Sequence, residues 1–169
     1  MQSTKAAVAI RKCAVYYAQW QCVCPIYKDP YQWMVREMVR RGISPGEDAP
    51  IWTWRYCGEP NRLPTLSTAR SLLSDRELED GISVIELNVP DGVGLLSSYR
   101  LWNKFVDEYL DGGAIPAREG YKNMFNVPPI THGDDIQACL PRIERLWVID
   151  VRPLGLAPDD YEFDPNQGI

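Results

Sequence analysis

Residues 51–57, Ile-Trp-Thr-Trp-Arg-Tyr-Cys, form the most sharply patterned stretch of the chain. They are mostly β-branched or aromatic and lie between Pro50 and a Gly-Glu-Pro sequence, which predicts a strand. Side chains alternate along a strand, so the large aromatic residues fall on one face. That face holds Trp52, Trp54 and Tyr56, and the opposite face holds Ile51, Thr53, Arg55 and Cys57. The aromatic face suits either a core or a platform on which a ligand stacks, and Arg55 needs solvent, a carboxylate or an anionic ligand.

Two stretches repeat apolar residues at helical spacing and predict the main amphipathic helices. The first begins at Asp29 as N-cap with Pro30 in the first helical position, and it ends near Gly42. Its apolar stripe is Tyr31, Met34, Val35, Met38 and Val39. The second is capped by Ser98, ends at residues 111–113, and has the stripe Trp102, Phe105, Val106, Tyr109 and Leu110. Shorter helices are expected in residues 4–12 and 69–79, the latter capped by Ser67 or Thr68.

Further strands are predicted in residues 82–89, 136–140 and 145–151, with one or two short strands in residues 13–26. In residues 82–89, one face would carry Ser83, Ile85, Leu87 and Val89, and the other Ile82, Val84, Glu86 and Asn88. After a turn, Leu95 and Leu96 are expected to re-enter the core, and Trp147, Ile149 and Val151 are expected to share a face. Strands mixed with two long helices, without regular βαβ spacing, predict an α+β fold with a mixed or antiparallel sheet.

The length of 169 residues indicates one domain, which we place at residues 1–154, followed by an acidic tail at 155–169. The tail holds four of the acidic residues and no Lys or Arg, so the rest of the chain is close to neutral although the net charge is −5. This distribution does not favour a nucleic-acid partner. The tail suits a solvated terminus or a short acidic docking peptide.

No apolar run reaches the roughly 18 to 20 residues of a membrane helix, and residues 1–12 do not make a convincing signal peptide. We therefore expect a soluble cytoplasmic protein without a membrane partner. The five cysteines are an odd number without framework spacing, so reduced thiols are expected. A zinc site of Cys22, Cys24, Cys57 and His132 has no support from the ligand spacing.

Catalytic motifs are scarce. The chain has no phosphate-binding Walker loop, and residues 92–94, Gly-Val-Gly, lack the third glycine of a dinucleotide fingerprint. His132 is the single histidine, and no nucleophile-elbow motif accompanies it. A metal site of His132 with Asp134 and Asp135 is a weaker interpretation than a polar loop. The sequence predicts no catalytic residue, metal or cofactor.

Several motifs, in order, resemble an uncharacterised bacterial and phage family, domain of unknown function 3841. They lie at residues 31–38 (Tyr-Gln-Trp-Met-Val-Arg-Glu-Met), 50–54 (Pro-Ile-Trp-Thr-Trp), 86–93 (Glu-Leu-Asn-Val-Pro-Asp-Gly-Val) and 95–99 (Leu-Leu-Ser-Ser-Tyr) with Trp102 after it. Residues 136–140 also resemble the family's last block. The resemblance covers roughly residues 13–154 and implies no activity.

Residues 137–140, Gln-Ala-Cys-Leu, are in addition similar to the strand that carries the catalytic glutamate of DarT-like ADP-ribosyltransferases. Cys139 stands where that glutamate would be, and a thiol cannot stabilise a developing oxocarbenium charge in the same way. The resemblance implies an ADP-ribosyltransferase-like fold that binds a ligand without transferring a group.

Three hypotheses follow. In the first, the chain binds a nucleotide-type ligand such as NAD, ADP-ribose or a cyclic nucleotide, through Trp52, Trp54, Arg55, Tyr56, Glu86 and Gln137. The aromatic residues would stack a base, and Glu86 and Gln137 would contact ribose hydroxyls. Arg55 would contact an anion only if its face of the strand also lines the cleft, because one flat strand cannot offer both faces to one ligand. In the second, the chain is a phage-encoded protein-interaction inhibitor of a bacterial defence system. In the third, all the aromatic residues are core.

Overall fold

The computed structural model describes residues 1–56, 65–127 and 135–154. The strands are β1 (Gln2–Ser3), β2 (Val15–Tyr16), β3 (Ile51–Tyr56), β4 (Ile82–Leu87), β5 (Leu95–Ser98), β6 (Ile136–Leu140), β7 (Ile143–Glu144) and β8 (Val148–Leu154). The helices are α1 (Thr4–Lys12), α2 (Lys28–Val39), α3 (Leu66–Leu72), α4 (Asp75–Glu79) and α5 (Tyr99–Gly112). Shorter 3-10 turns span Trp20–Cys22, Pro25–Tyr27, Arg118–Phe125 and Arg145–Trp147.

The strands form two three-stranded sheets and one two-stranded ribbon. The sheet orders are β1-β4-β8 and β3-β6-β5, and the ribbon pairs β2 with β7. Each of these pairings is antiparallel. The predicted α+β class is therefore confirmed, as one compact domain with antiparallel sheets.

The main core lies between the sheet β3-β6-β5 and the helices α2 and α5. Its fully buried members include Met34 and Met38 of α2, Phe105 of α5 and Cys139 of β6. Both amphipathic helices that the periodicity predicts are thus confirmed, and each buries part of its predicted stripe against this sheet. The last residue of each stripe is instead exposed, Val39 at 54% and Leu110 at 44%, and α2 buries Trp33 and Glu37 outside the predicted stripe. A second cluster, Ile10, Ile51, Leu140 and Ile143, packs against Ile85, Leu87 and Val89 and so joins the two sheets.

The ends of α2 follow the prediction only in part. The helix begins at Lys28 after a 3-10 turn, with Tyr27 as the N-cap, so Asp29 lies in the first turn and does not cap it. At the other end the prediction of Gly42 is confirmed. Gly42 has a φ of 78°, and the N–H groups of Gly42 and Ile43 donate to the carbonyls of Val39 and Met38. This is the hydrogen-bond pattern of a Schellman motif with glycine at C′.

Helix α5 begins and ends as predicted. Ser98 accepts a hydrogen bond from the N–H of Leu101 on its Oγ, at 3.4 Å. Gly113 follows the helix with a φ of 67°, a left-handed conformation that glycine adopts without strain.

The prediction of one or two short strands in residues 13–26 is confirmed by the two-residue strand β2, and two 3-10 turns follow it. Other predicted elements are wrong in detail. Residues 69–79 belong to two short helices, and Thr65 caps the first of them by a reciprocal pairing with Thr68. Residues 145–147 form a 3-10 turn, so Trp147 is buried while Ile149 is 61% exposed. Leu96 is 37% exposed, and only Leu95 enters the core.

In the described ranges no helix is long and apolar enough to cross a membrane. The acidic tail at 155–169 lies outside the described residues, as do Cys57, His132 and Asp134.

Candidate functional site

The two faces of β3 have different surroundings. On one face, the ring of Trp52 lies 4.6 Å from that of Trp102 and 5.2 Å from that of Tyr31, between centroids. On the same face, the ring of Trp54 meets the ring of Tyr99 nearly edge-on at 4.7 Å. These contacts are made with α2 and α5, so the aromatic face packs on the helices.

A register shift after Trp54 interrupts the alternation of β3. Trp54 pairs with Gln137 and Tyr56 pairs with Ile136, so two residues of β3 oppose one residue of β6. The sequence prediction assumed an unbroken strand, in which one face carries Trp52, Trp54 and Tyr56. For Tyr56 only the backbone pairing is described.

A pocket of about 540 Å³ lies between the two sheets, on the side of β3 that carries Ile51 and Thr53. Its apolar wall includes Ile51, Ile85, Leu87 and Leu140, which belong to the cluster that joins the sheets. Charged residues from different elements reach the same pocket: Arg55 from β3, Glu86 from β4, and Asp91 from the turn that follows β4. The volume falls within the usual range of small-molecule sites, roughly 300 to 1,000 Å³.

The pocket is also bordered by the edges of two strands. Among the described strands, β3 is the terminal one of its sheet, and β4 pairs with β1 only through Ile82 and Ser83. Beyond those two residues, no strand in the described ranges pairs with that edge of β4. Consecutive residues of both strands line the pocket, 51–55 and 84–87. Main-chain donors and acceptors therefore border the pocket on two sides.

The structure brings four of the predicted ligand residues to this pocket and leaves one elsewhere. Trp52, Trp54, Arg55 and Glu86 all line it, although the two tryptophan rings pack on the helices. Gln137 is 4% exposed and does not line it. Its Nε2 donates to Oγ of Ser97 at 3.1 Å, on the helix side of the sheet.

Thr53, Asp91 and Gly94 are among the pocket residues that sequence reasoning missed. Thr53 lines the pocket and donates from Oγ1 to the carbonyl of Ala138 at 3.0 Å. Asp91 could have been noticed as a carboxylate in a turn directly after a strand. At Gly94, an added Cβ would lie 2.6 Å from Cδ2 of Leu140, so glycine allows the chain between β4 and β5 to lie close against β6.

Cys139 lies away from the pocket. Its side chain is fully buried in the core beneath the helices, and burial raises the pKa of its thiol well above the ordinary value. Cys139 therefore stays neutral at physiological pH. Cys13, Cys22 and Cys24 are free and exposed. The described residues contain no group of three His, Cys, Asp or Glu side chains that could hold a metal.

No curated protein and no solved structure matches the chain significantly. A family model does match: the domain of unknown function DUF3841, over residues 1–126. The matched range contains β3, β4 and the turn that follows β4, and residues 137–140 lie beyond it. The match spans about three quarters of the chain, and the protein therefore belongs to the DUF3841 family.

Proposed function

We propose that this protein binds a small nucleotide-type ligand, such as NAD or ADP-ribose, in the pocket between its two sheets. One observation carries the proposal: two strand edges and an apolar wall border the same pocket, and Arg55 and Glu86 reach it from separate sheets.

The strand edges suit a planar heterocycle. A strand edge presents N–H donors and C=O acceptors in a row, close to one plane. Nucleobases and nicotinamide carry donors and acceptors along their own edges, so they can pair in that plane. Their faces are apolar, and the side chains of Ile51, Leu87 and Leu140 offer a matching surface.

The charged residues suit the remainder of a nucleotide. Ionised carboxylates accept hydrogen bonds, so Glu86 and Asp91 are fitted to ribose hydroxyls. Arg55 is fitted to a phosphate, because a guanidinium can donate two parallel hydrogen bonds to phosphate oxygens. In this arrangement the ligand lies on the Arg55 face of β3, and the tryptophan rings support the strand from behind.

The proposal is for binding without group transfer. In the proposed resemblance to DarT-like proteins, Cys139 takes the position of their catalytic glutamate. Cys139 is a neutral thiol in the core and does not line the pocket. A ligand held here would act as a signal or a sequestered metabolite.

The same strand edges favour a second candidate function. An extended segment of a partner protein could add to the edge of β3 or β4, because main-chain hydrogen bonds make such additions largely independent of sequence. In the protein-interaction hypothesis, such strand addition would be the way in which an inhibitor of a bacterial defence system binds its partner.

Calorimetric titration with NAD, ADP-ribose and cyclic AMP separates the two candidates. Saturable binding of one of these ligands supports the nucleotide proposal. We then expect Arg55→Ala to weaken binding about tenfold, as the loss of a charge-assisted hydrogen bond does. Arg100→Ala is the matched control, because Arg100 is exposed on α5 and outside the pocket.

Glu86→Gln provides a second comparison, since an amide keeps the size of the side chain but loses the charge. Glu79→Gln, at an exposed position of α4, is its control. The absence of binding by all three ligands at millimolar concentration would move the preference to a protein partner.

A further inference from the structure

A cluster of three arginines surrounds one buried carboxylate at the C-terminal end of α2. Glu37 comes from the last turn of α2, Arg40 and Arg41 directly follow that helix, and Arg118 comes from the 3-10 turn Arg118–Phe125. The side chain of Glu37 is 0% exposed. None of these four residues lines the pocket between the sheets, so the cluster is a separate feature.

Both oxygens of Glu37 are saturated with hydrogen bonds. Arg118 donates from Nε to Oε1 at 2.7 Å and from Nη2 to Oε2 at 3.2 Å. Arg41 donates from Nη1 to Oε2 at 2.7 Å, and Arg40 also donates to Oε1. Arg118 and Arg41 alone would give each oxygen at least one hydrogen bond. Arg40 adds a second hydrogen bond to Oε1 and a third positive charge to the cluster.

The cluster carries an excess of positive charge. Three guanidinium groups face one carboxylate, which leaves two positive charges in a chain whose net charge is −5. On the same 3-10 turn, Glu119 forms an ion pair with Lys122 at 3.9 Å and also acts on Arg118, so it offsets part of this excess. The side chains of Arg40, Arg41 and Arg118 are 50%, 31% and 37% exposed, so this charge is accessible to solvent.

The guanidinium groups are held in place yet keep donors for a ligand. Beyond the contact with Glu37, the guanidinium carbon of Arg41 lies 4.0 Å from the ring centroid of Phe125, and its Nη1 donates to the carbonyl of Glu37. No hydrogen bond among the described residues uses Nε or Nη2 of Arg40, Nε or Nη2 of Arg41, or Nη1 of Arg118. Side chains fixed in this way lose little entropy when they bind.

We propose that this arginine cluster is an anion-binding site for a phosphate dianion, either free or as a monoester. Fork-shaped guanidinium groups match the oxygen geometry of phosphate, and clusters of them are a recurring means of recognising it. Glu37 acts as a positioning residue: it draws three like charges together on partly exposed side chains, while several of their N–H donors have no hydrogen-bond partner among the described residues.

Side-chain NMR of the arginine Nε–H groups tests the proposal on the full chain. Inorganic phosphate and glycerol 3-phosphate are titrated separately, against sodium chloride at matched ionic strength. We expect saturable shifts of the Arg40, Arg41 and Arg118 signals with phosphate and not with chloride. Tighter binding of glycerol 3-phosphate would identify an esterified phosphate as the ligand, and equal or weaker binding would identify the free ion.

The variant Arg40→Ala is expected to weaken phosphate binding about fivefold, since it removes one charged donor at a half-exposed position. Arg40→Lys keeps the charge but not the forked donor geometry, so its phosphate affinity is expected to lie between those of the unchanged protein and Arg40→Ala. Arg100→Ala should bind as the unchanged protein does. Shifts that are linear, that chloride reproduces, or that survive Arg40→Ala unchanged in a folded protein would overturn the proposal and leave the cluster a purely structural one.

Discussion

The carboxylate of Glu37 and the guanidinium of Arg118 meet side-on across 81 positions of sequence, with Nε to Oε1 at 2.7 Å and Nη2 to Oε2 at 3.2 Å. The pairing ties the 3-10 turn Arg118–Phe125 to α2. Burial by itself would raise the pKa of Glu37, but the hydrogen bonds from Arg118, Arg41 and Arg40 outweigh it and lower that pKa to about 2.

This ion cluster predicts how stability depends on pH. Because the pKa of Glu37 falls from 4.5 to about 2 on folding, its contribution is complete above pH 4.5 and is lost as the pH falls towards 2. We expect Glu37→Gln to lower the free energy of unfolding at pH 7 by about 2 kcal/mol, less than for a fully buried pair because the arginines remain partly hydrated. Urea unfolding at several pH values measures both quantities.

The control for Glu37→Gln is Glu119→Gln, at an exposed carboxylate on the same turn. We expect that change to alter stability by less than about 0.5 kcal/mol. If Glu37→Gln and the unchanged protein lost stability equally between pH 4.5 and 2, the cluster would not hold the carboxylate in its ionised form.

The packing of Trp52 predicts that the loss of stability on substitution depends on the size of the replacing side chain. Its ring packs between Tyr31 and Trp102, so Trp52→Ala should lower the free energy of unfolding by about 3 kcal/mol. Its indole Nε1 is buried and has no hydrogen-bond partner among the described residues. Trp52→Phe therefore loses no hydrogen bond and should cost less than about 1.5 kcal/mol.

The same Trp52→Phe protein separates packing from ligand stacking. If the ring only supports the strand, ADP-ribose affinity stays within about twofold of that of the unchanged protein, a difference below 0.5 kcal/mol. A loss of affinity much larger than the loss of stability would restore the role of Trp52 as a stacking platform.

Gly94 predicts a packing limit at the pocket wall. A Cβ at this position would lie 2.6 Å from Cδ2 of Leu140, a side chain that is itself 2% exposed and so has little room to move. Gly94→Ala should therefore destabilise the protein by about 1 to 2 kcal/mol, as overpacking does. At Gly120 an added Cβ would meet nothing within 4 Å, so thermal unfolding of Gly120→Ala should match that of the unchanged protein. Equal midpoints for the two variants would contradict the close approach.

Local sequence signals were sufficient to predict the helix that has both strong periodicity and recognisable capping residues. Ser98, the apolar stripe of α5 and Gly113 are all readable along the sequence, and both ends of that helix are confirmed, although Leu110 at the end of the stripe is 44% exposed. Trp147 shows where such reading fails. Alternation predicted that Trp147, Ile149 and Val151 share one face of a strand. Residues 145–147 instead form a 3-10 turn, so the burial of Trp147 does not depend on the strand that follows.

The pocket and the arginine cluster depend on contacts that sequence spacing does not contain. Trp52 packs on the helices, so the opposite face of β3 is the one that lines the pocket. The alternation pattern of a single strand does not tell which of its faces is buried against helices. Arg55 and Glu86 reach one pocket only because strands of both sheets line it. Arg118 lies 81 residues from Glu37, so no local pattern could pair them.

The central claim is that the pocket between the sheets binds a nucleotide, and blocking the pocket tests it most directly. Leu96 lines the pocket and is 37% exposed, so Leu96→Trp adds bulk there without disturbing the core; Leu146→Trp is the control, at a residue that is 79% exposed and outside the pocket. The measurement is the dissociation constant of ADP-ribose and of NAD for the three proteins. We predict that Leu96→Trp weakens binding at least about tenfold while Leu146→Trp does not. Equal affinities in all three proteins, or no binding by the unchanged protein, would contradict the claim.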